Sequence, residues 1–120
     1  MSIEMTTKYG QIEISNDVIA TIAGGAAIDC YGIVGMASKN QIKDGFSDIL
    51  RKENFTRGII VRQEGTSIHI DMYIIVSYGT KISEVAHNVQ SKVKYTLEQT
   101  VGFSADTVNI YVQGVRVSNP

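Results

Sequence analysis

Between Ile68 and Val117 the hydrophobic period changes twice, and this constrains the fold more than any other feature of the chain. Ser67 to Tyr78 alternates, with Ile68, Ile70, Met72, Ile74, Val76 and Tyr78 on one side and His69, Asp71, Tyr73, Ile75 and Ser77 on the other, which predicts a long strand. After the corner Tyr78-Gly79-Thr80-Lys81-Ile82 the period becomes helical. Ile82, Val85, Ala86, Val89, Val93, Leu97 and Val101 form one stripe, running from a Thr80 cap to about Thr100, and Gly102 closes it. Val108, Ile110 and Val112 then alternate again. Val115 and Val117 are out of phase by one residue, with Gly114 at the slip; a bulge there would return both valines to the core or deliver them to a partner.

Upstream, residues 1–8 read as an irregular flexible arm and residues 9–120 as a single domain. Tyr9 to Ile14 alternates as a half-buried strand. Ser15 is a helix N-cap, Asp17 suits the positive helix start, and Ile14 and Ile19 have the spacing of a hydrophobic staple. Val18, Ile19, Ile22, Ala23, Ala26 and Cys30 make the apolar stripe of the helix that follows. Gly24 and Gly25 inside it require a cause such as close approach of another backbone, since a phosphate-cradling loop places its glycines before a helix. Gly32-Ile33-Val34-Gly35-Met36-Ala37 fits either a short strand or an extended linker. Gln41 to Lys52 predicts a short amphipathic helix through Ile42, Phe46, Ile49 and Leu50. Gly58 to Glu64 pairs with the long strand around Gly65-Thr66, a pair suited to a type II′ turn. The fold class expected is α+β, a small mixed β-sheet with helices packed on one face, in the order β-α-(β)-α-β-β-α-β.

Composition narrows function by exclusion. With 43% hydrophobic and 19% charged residues the chain is a folding domain, and its net charge of −1 supplies no global field for nucleic acid or anionic lipid. One cysteine, Cys30, rules out an internal disulfide and fits a reducing compartment. Neither a secretion signal nor an apolar run of about 18 residues is present, so a cytoplasmic protein without direct membrane insertion is expected.

Little in the sequence resembles catalytic equipment. His69 and Asp71 share a strand face, but no nucleophile elbow, Cys-His signature or acid pair accompanies them. The two histidines and one cysteine are too dispersed for a metal site, and no cofactor is expected. His87 reads as a solvated residue on the last helix, and Cys30 as a small buried hydrophobe. Gly32-Ile33-Val34-Gly35 sits where a KH-type RNA-binding domain carries its G-x-x-G loop, and Lys39, Lys43, Arg51, Lys52 and Arg57 would supply its basic patch; the apolar loop interior and the charge balance argue against it. The stronger lead is an interaction face on the open side of the sheet, made by Arg62, His69, Asp71, Tyr73, Asn109, Tyr111 and Gln113, because tyrosine and arginine bury area at low entropic cost and keep a polar tip.

Gly10 and Ile12, Gly32 to Met36, Arg57 to Val61, the Tyr78-Gly79 corner with its helical stripe, Gly102, and the ending Val108-Asn109-Ile110-Tyr111-Val112-Gln113-Gly114-Val115 occur in an order that resembles the alkaline shock protein family of Gram-positive bacteria. The Lys39 to Asn54 insert, with Leu50-Arg51-Lys52-Glu53-Asn54, is similar to a smaller branch often encoded beside a fatty-acid kinase. The resemblance implies a non-enzymatic interaction or scaffold protein in cell-envelope stress response or homeostasis, linked to lipid metabolism and peripheral to the membrane through a partner. The partners implied are proteins: a second copy of the chain, or a membrane-associated or lipid-metabolism protein. No catalytic residue is carried over, because the family has no established catalytic motif.

Overall fold

The long strand is the hub of the molecule. The computed structural model describes residues 2–38 and 57–117. Its elements are β1 (Ser2–Thr7), β2 (Gly10–Ser15), α1 (Asn16–Ile28), β3 (Ile33–Met36), β4 (Ile59–Glu64), β5 (Ser67–Ser77), α2 (Ile82–Thr100) and β6 (Thr107–Arg116). β5 pairs antiparallel with β4 through residues 67–72 and with β3 through residues 74–76, and parallel with β6 through residues 69–77. A strand has only two edges, so β3 and β4 lie end to end along one and β6 occupies the other. The result is a mixed sheet with helices, as the α+β expectation required.

The end-to-end arrangement explains one glycine. The chain leaves the sheet after Ala37, whose N–H donates to the Tyr73 carbonyl at 2.9 Å, and re-enters at Gly58 beside it. A Cβ on Gly58 would stand 2.6 Å from the Ala37 carbonyl oxygen, so a side chain there would collide with backbone. The helix expected over 41–52 and the basic residues Lys39, Lys43, Arg51 and Lys52 lie outside the described residues.

One face of β5 builds the core: Ile68, Ile70, Met72, Ile74 and Val76 are buried against Ile19, Ala20, Ala23, Ala26 and Ala27 of α1 and Val85, Val89, Val93 and Leu97 of α2. The predicted α2 stripe holds at its centre, while Ile82 at the helix start is exposed. Thr80 is not the cap. Its hydroxyl donates to the Ser77 carbonyl at 2.8 Å, closing the corner, and Lys81 takes the cap position without a side-chain hydrogen bond. In α1 the Ser15 hydroxyl does accept from the Val18 N–H, at 3.3 Å. Val18, placed on the core stripe by periodicity, is exposed instead, and its place is taken by Ala20, Gly24 and Ala27. Gly25 has nothing near where its Cβ would stand, so no backbone approach explains it.

Three other expectations change. Residues 2–7 are not an irregular arm: they form β1, paired with β2 from Ser2↔Ser15 to Thr7↔Gly10, and Ile3 is buried in the core cluster. Ile33 to Gly35 is a strand, hydrogen-bonded into the sheet against β5, and not a loop between helices. Of the backbone groups that a KH clamp would offer to RNA, the Gly32 carbonyl accepts from Ser77 N–H at 2.8 Å and the Ile33 N–H donates to the Cys30 carbonyl at 3.3 Å, so both are already engaged. Tyr78, assigned to the core face, is 71% exposed because it lies past the last β5 pair, in the corner. The Gly65-Thr66 turn is as predicted, with φ +64° at Gly65 alone.

Candidate functional site

The sheet face opposite the helices carries six of the seven predicted interaction residues, Arg62, His69, Asp71, Tyr73, Asn109 and Tyr111. Register places Arg62 opposite His69, Asp71 opposite Asn109, and Tyr73 opposite Tyr111. Asp71 is the hub. Its carboxylate accepts Arg62 Nε at 3.1 Å and Arg62 Nη2 at 3.2 Å in a fork, and Asn109 Nδ2 at 2.8 Å. Arg62 Nη1 also donates to Glu64 Oε1 at 2.9 Å. His69 Nδ1 stands 2.7 Å from the Thr107 hydroxyl, and its Nε2 is 4.0 Å from Glu64. Asp71 is buried to 9% exposure while Arg62 remains half-exposed, so the carboxylate is fixed and the guanidinium presents its outer edge.

Next to this network the Tyr73 and Tyr111 rings stack, centroids 4.9 Å apart and planes 19° from parallel. Burial raises the Tyr73 phenol above its ordinary value, and the Asp71 carboxylate and Tyr111 add to the effect. Hydrogen bonding to Asp71, then its charge, raises Arg62 further and keeps it a permanent cation. The face is not uniformly open: Ile75, in the same row, is fully buried. Gln113 is the extra residue of a bulge, between the pairs Ile74↔Val112 and Ile75↔Gly114. The slip therefore falls one residue before Gly114, and it restores the valine phase, since Val115 lies opposite Val76. Val115 and Val117 are nevertheless exposed.

These contacts hold the side chains in place against one another and leave them poorly arranged for proton transfer. Asp71 is engaged by Arg62 and Asn109, and His69 by Thr107, so the two candidates for acid/base work do not form a pair. A groove of about 370 Å³ lies between α2 and the start of β6 and is lined by Gln90, Lys94, Asp106 and Asn109 among others. Among the described residues no group of three or more His, Cys, Asp or Glu could hold a metal ion, and no helix is long and apolar enough to cross a membrane. Cys30 is half-buried just past α1, its thiol donating to the Ala26 carbonyl at 3.6 Å; burial raises its pKa, with Lys92 opposing. His87 is exposed on α2.

Sequence reasoning missed Glu64 and Thr107, which complete the network. Each stands two residues from a residue already among the predicted ones, Arg62 and Asn109, which is the spacing of one strand face.

Comparison with known proteins gives a consistent answer. Residues 4–117 match the model of the alkaline shock protein 23 family, described as having a cell envelope-related function. The chain is 80% identical over its whole length, and that of its relative, to the uncharacterised protein YloU of Bacillus subtilis (strain 168). It is 50% identical to the uncharacterised protein Spy1614 of Streptococcus pyogenes serotype M6, over 98% of this chain and 97% of that one. A solved chain titled MamM V260R covers 85% of this chain and 96% of its own at 14% identity and a TM-score of 0.46, a likeness too loose to carry function.

Proposed function

The chain belongs to the alkaline shock protein 23 family, and from that membership and the geometry of the sheet face we propose that it is a non-enzymatic docking protein of the cell envelope. A protein partner binds the face made by Arg62, His69, Asp71, Tyr73, Asn109 and Tyr111. The observation that carries this reading is the pre-set order of that face: the bidentate Asp71–Arg62 pair and the stacked tyrosines hold the side chains that interfaces favour. Groups already fixed lose little conformational entropy on binding, so more of the contact energy is left for affinity. Arg62, already paired with Asp71 and Glu64, keeps one N–H on each terminal nitrogen for a partner's oxygen, and the tyrosine pair offers a flat apolar platform with hydroxyl tips. A membrane-associated or lipid-metabolism protein with a polar, aromatic-accepting surface fits this chemistry, and would bring a chain without a membrane-spanning helix among its described residues to the envelope.

The test is affinity capture from a Gram-positive lysate with the intact protein, Arg62→Glu, Tyr111→Asp and, as a control on the helical side, His87→Glu. Envelope proteins recovered by the intact chain and His87→Glu but lost from both face variants support the reading. Identical recovery by all four proteins contradicts it.

A further inference from the structure

The two edges of the main sheet are treated differently. On the β3/β4 side the edge is broken where the chain leaves after Ala37 and returns at Gly58, and Asn16 Nδ2 at the start of α1 donates to the Val61 carbonyl at 3.3 Å. On the other side β6 runs unbroken from Thr107 to Val112, and no described strand pairs with its outer edge.

Hydrogen bonds show which backbone groups that edge presents. Ala37 N–H to Tyr73 and Ser77 N–H to Gly32 point odd-numbered β5 residues toward β3 and β4; Tyr78 N–H to Arg116 and Asp106 N–H to Ile68 point even-numbered ones toward β6. With β5 aligned Asp71↔Asn109 in a parallel ladder, Thr107, Asn109 and Tyr111 face β5, and the N–H and C=O groups of Val108, Ile110 and Val112 face outward. The Gln90 amide donates to the Val108 carbonyl at 2.8 Å, as expected of an outward carbonyl. The carbonyl keeps a second lone pair.

Natural edge strands are protected by charge, proline, bulges, brevity or a covering helix or loop. From Thr107 to Gly114 this strand has neither a charged residue nor proline, its bulge comes only at Gln113, and α2 caps it through the Gln90 amide at the Val108 carbonyl while Ile110 and Val112 lie beyond that contact. We propose that this edge is the pairing site for a second copy of the chain, whose β6 adds antiparallel about a two-fold axis at Ile110. Ile110 then bonds to its own copy, Val108 to Val112 of the other chain, and Val112 to Val108. The outward set is symmetric about that axis, so it satisfies itself and ends before the bulge on both sides. No like charges are brought opposite one another in the stretch, and the adjoining groove carries both signs through Lys94 and Asp106. A symmetric pair closes both exposed edges at once, whereas a head-to-tail contact would leave one open. Asn109 comes to lie across from Tyr111 of the other copy, joining the two docking faces into one surface.

This inference stands on the edge and not on the docking-face reading, so loss of one leaves the other. It is tested by sedimentation equilibrium and residue-resolved amide exchange on the intact chain, on Ile110→Pro and on Ile110→Ala. Both variants shorten the side chain, and only proline removes the outward N–H. The expected results are a reversible dimer, slow exchange at Ile110 and Val112 that accelerates on dilution, and a dissociation constant raised by proline roughly tenfold or more beyond alanine. Should the variants fail to fold, the intact chain decides alone. A monomer at every concentration, a dimer whose Ile110 and Val112 amides exchange as fast as solvent-exposed ones, or protection appearing only on adding a foreign protein would each overturn it.

Discussion

Replacing Ile3 by alanine separates a docked N-terminal hairpin from a loose arm. Ile3 is 1% exposed and belongs to the core cluster, so the substitution takes three carbons out of a buried site. At about 0.8 kcal/mol per buried methylene the transfer loss is about 2.4 kcal/mol. A cavity contribution adds to this, and relaxation of a hairpin at the edge of the core subtracts from it, which leaves about 2–3 kcal/mol. For a chain of this size that lowers the melting temperature by about 8–12 °C. Ile12, across the hairpin from Met5 and 48% exposed, serves as the internal control, and Ile12→Ala should cost about 1 kcal/mol or less. Urea unfolding followed by circular dichroism reads both. An Ile3→Ala midpoint within error of the intact protein would refute the reasoning and return residues 2–7 to the irregular arm read from the sequence.

The remaining expectations concern the sheet. Gly58→Ala forces a Cβ against the Ala37 carbonyl, a backbone atom that cannot rotate away, so denaturant unfolding should show a loss of about 1–3 kcal/mol; wild-type stability would mean the two chain ends are farther apart. A double-mutant cycle of Tyr73→Ala and Tyr111→Ala should give a coupling of about 0.5–1 kcal/mol, and additive losses would deny the stack. The Tyr73 phenol is raised in the folded state, so it binds its proton more tightly there than in the unfolded chain. Its stabilising contribution is therefore complete below the unfolded value near 10 and is lost as pH rises through the folded one; thermal melts at rising alkaline pH should fall less steeply for Tyr73→Phe than for the intact protein.

The strand, helix, strand order of residues 67–117 was legible because each element repeats its apolar period over enough residues to be unambiguous. β1 was not. Ile3 and Met5 alternate with Glu4 and Thr6, but two apolar residues are a weak signal, and the turn uses Lys8 and Tyr9 in place of the Asn-Gly or Gly-X pair that announces a hairpin. In α1, periodicity put Val18 on the buried stripe, and packing against the sheet chose the alanines instead. For the candidate site, alternation placed His69, Asp71 and Tyr73 on one face and Asn109 and Tyr111 on another strand. That Asp71 meets Asn109 and Tyr73 meets Tyr111 depends on register between segments far apart in sequence, which no local pattern encodes. The edge cap by Gln90 was hidden for the same reason.

The central claim is that the Arg62 to Tyr111 face receives a protein. It is tested most directly by placing a photo-activatable cross-linking residue at position 64, at the exposed rim of the face on β4 and away from the β6 edge, and at position 87 on α2, in living Gram-positive cells. A discrete adduct with an envelope protein at position 64, absent at position 87, is the predicted result. No adduct at 64, or the same adducts at both positions, would contradict it.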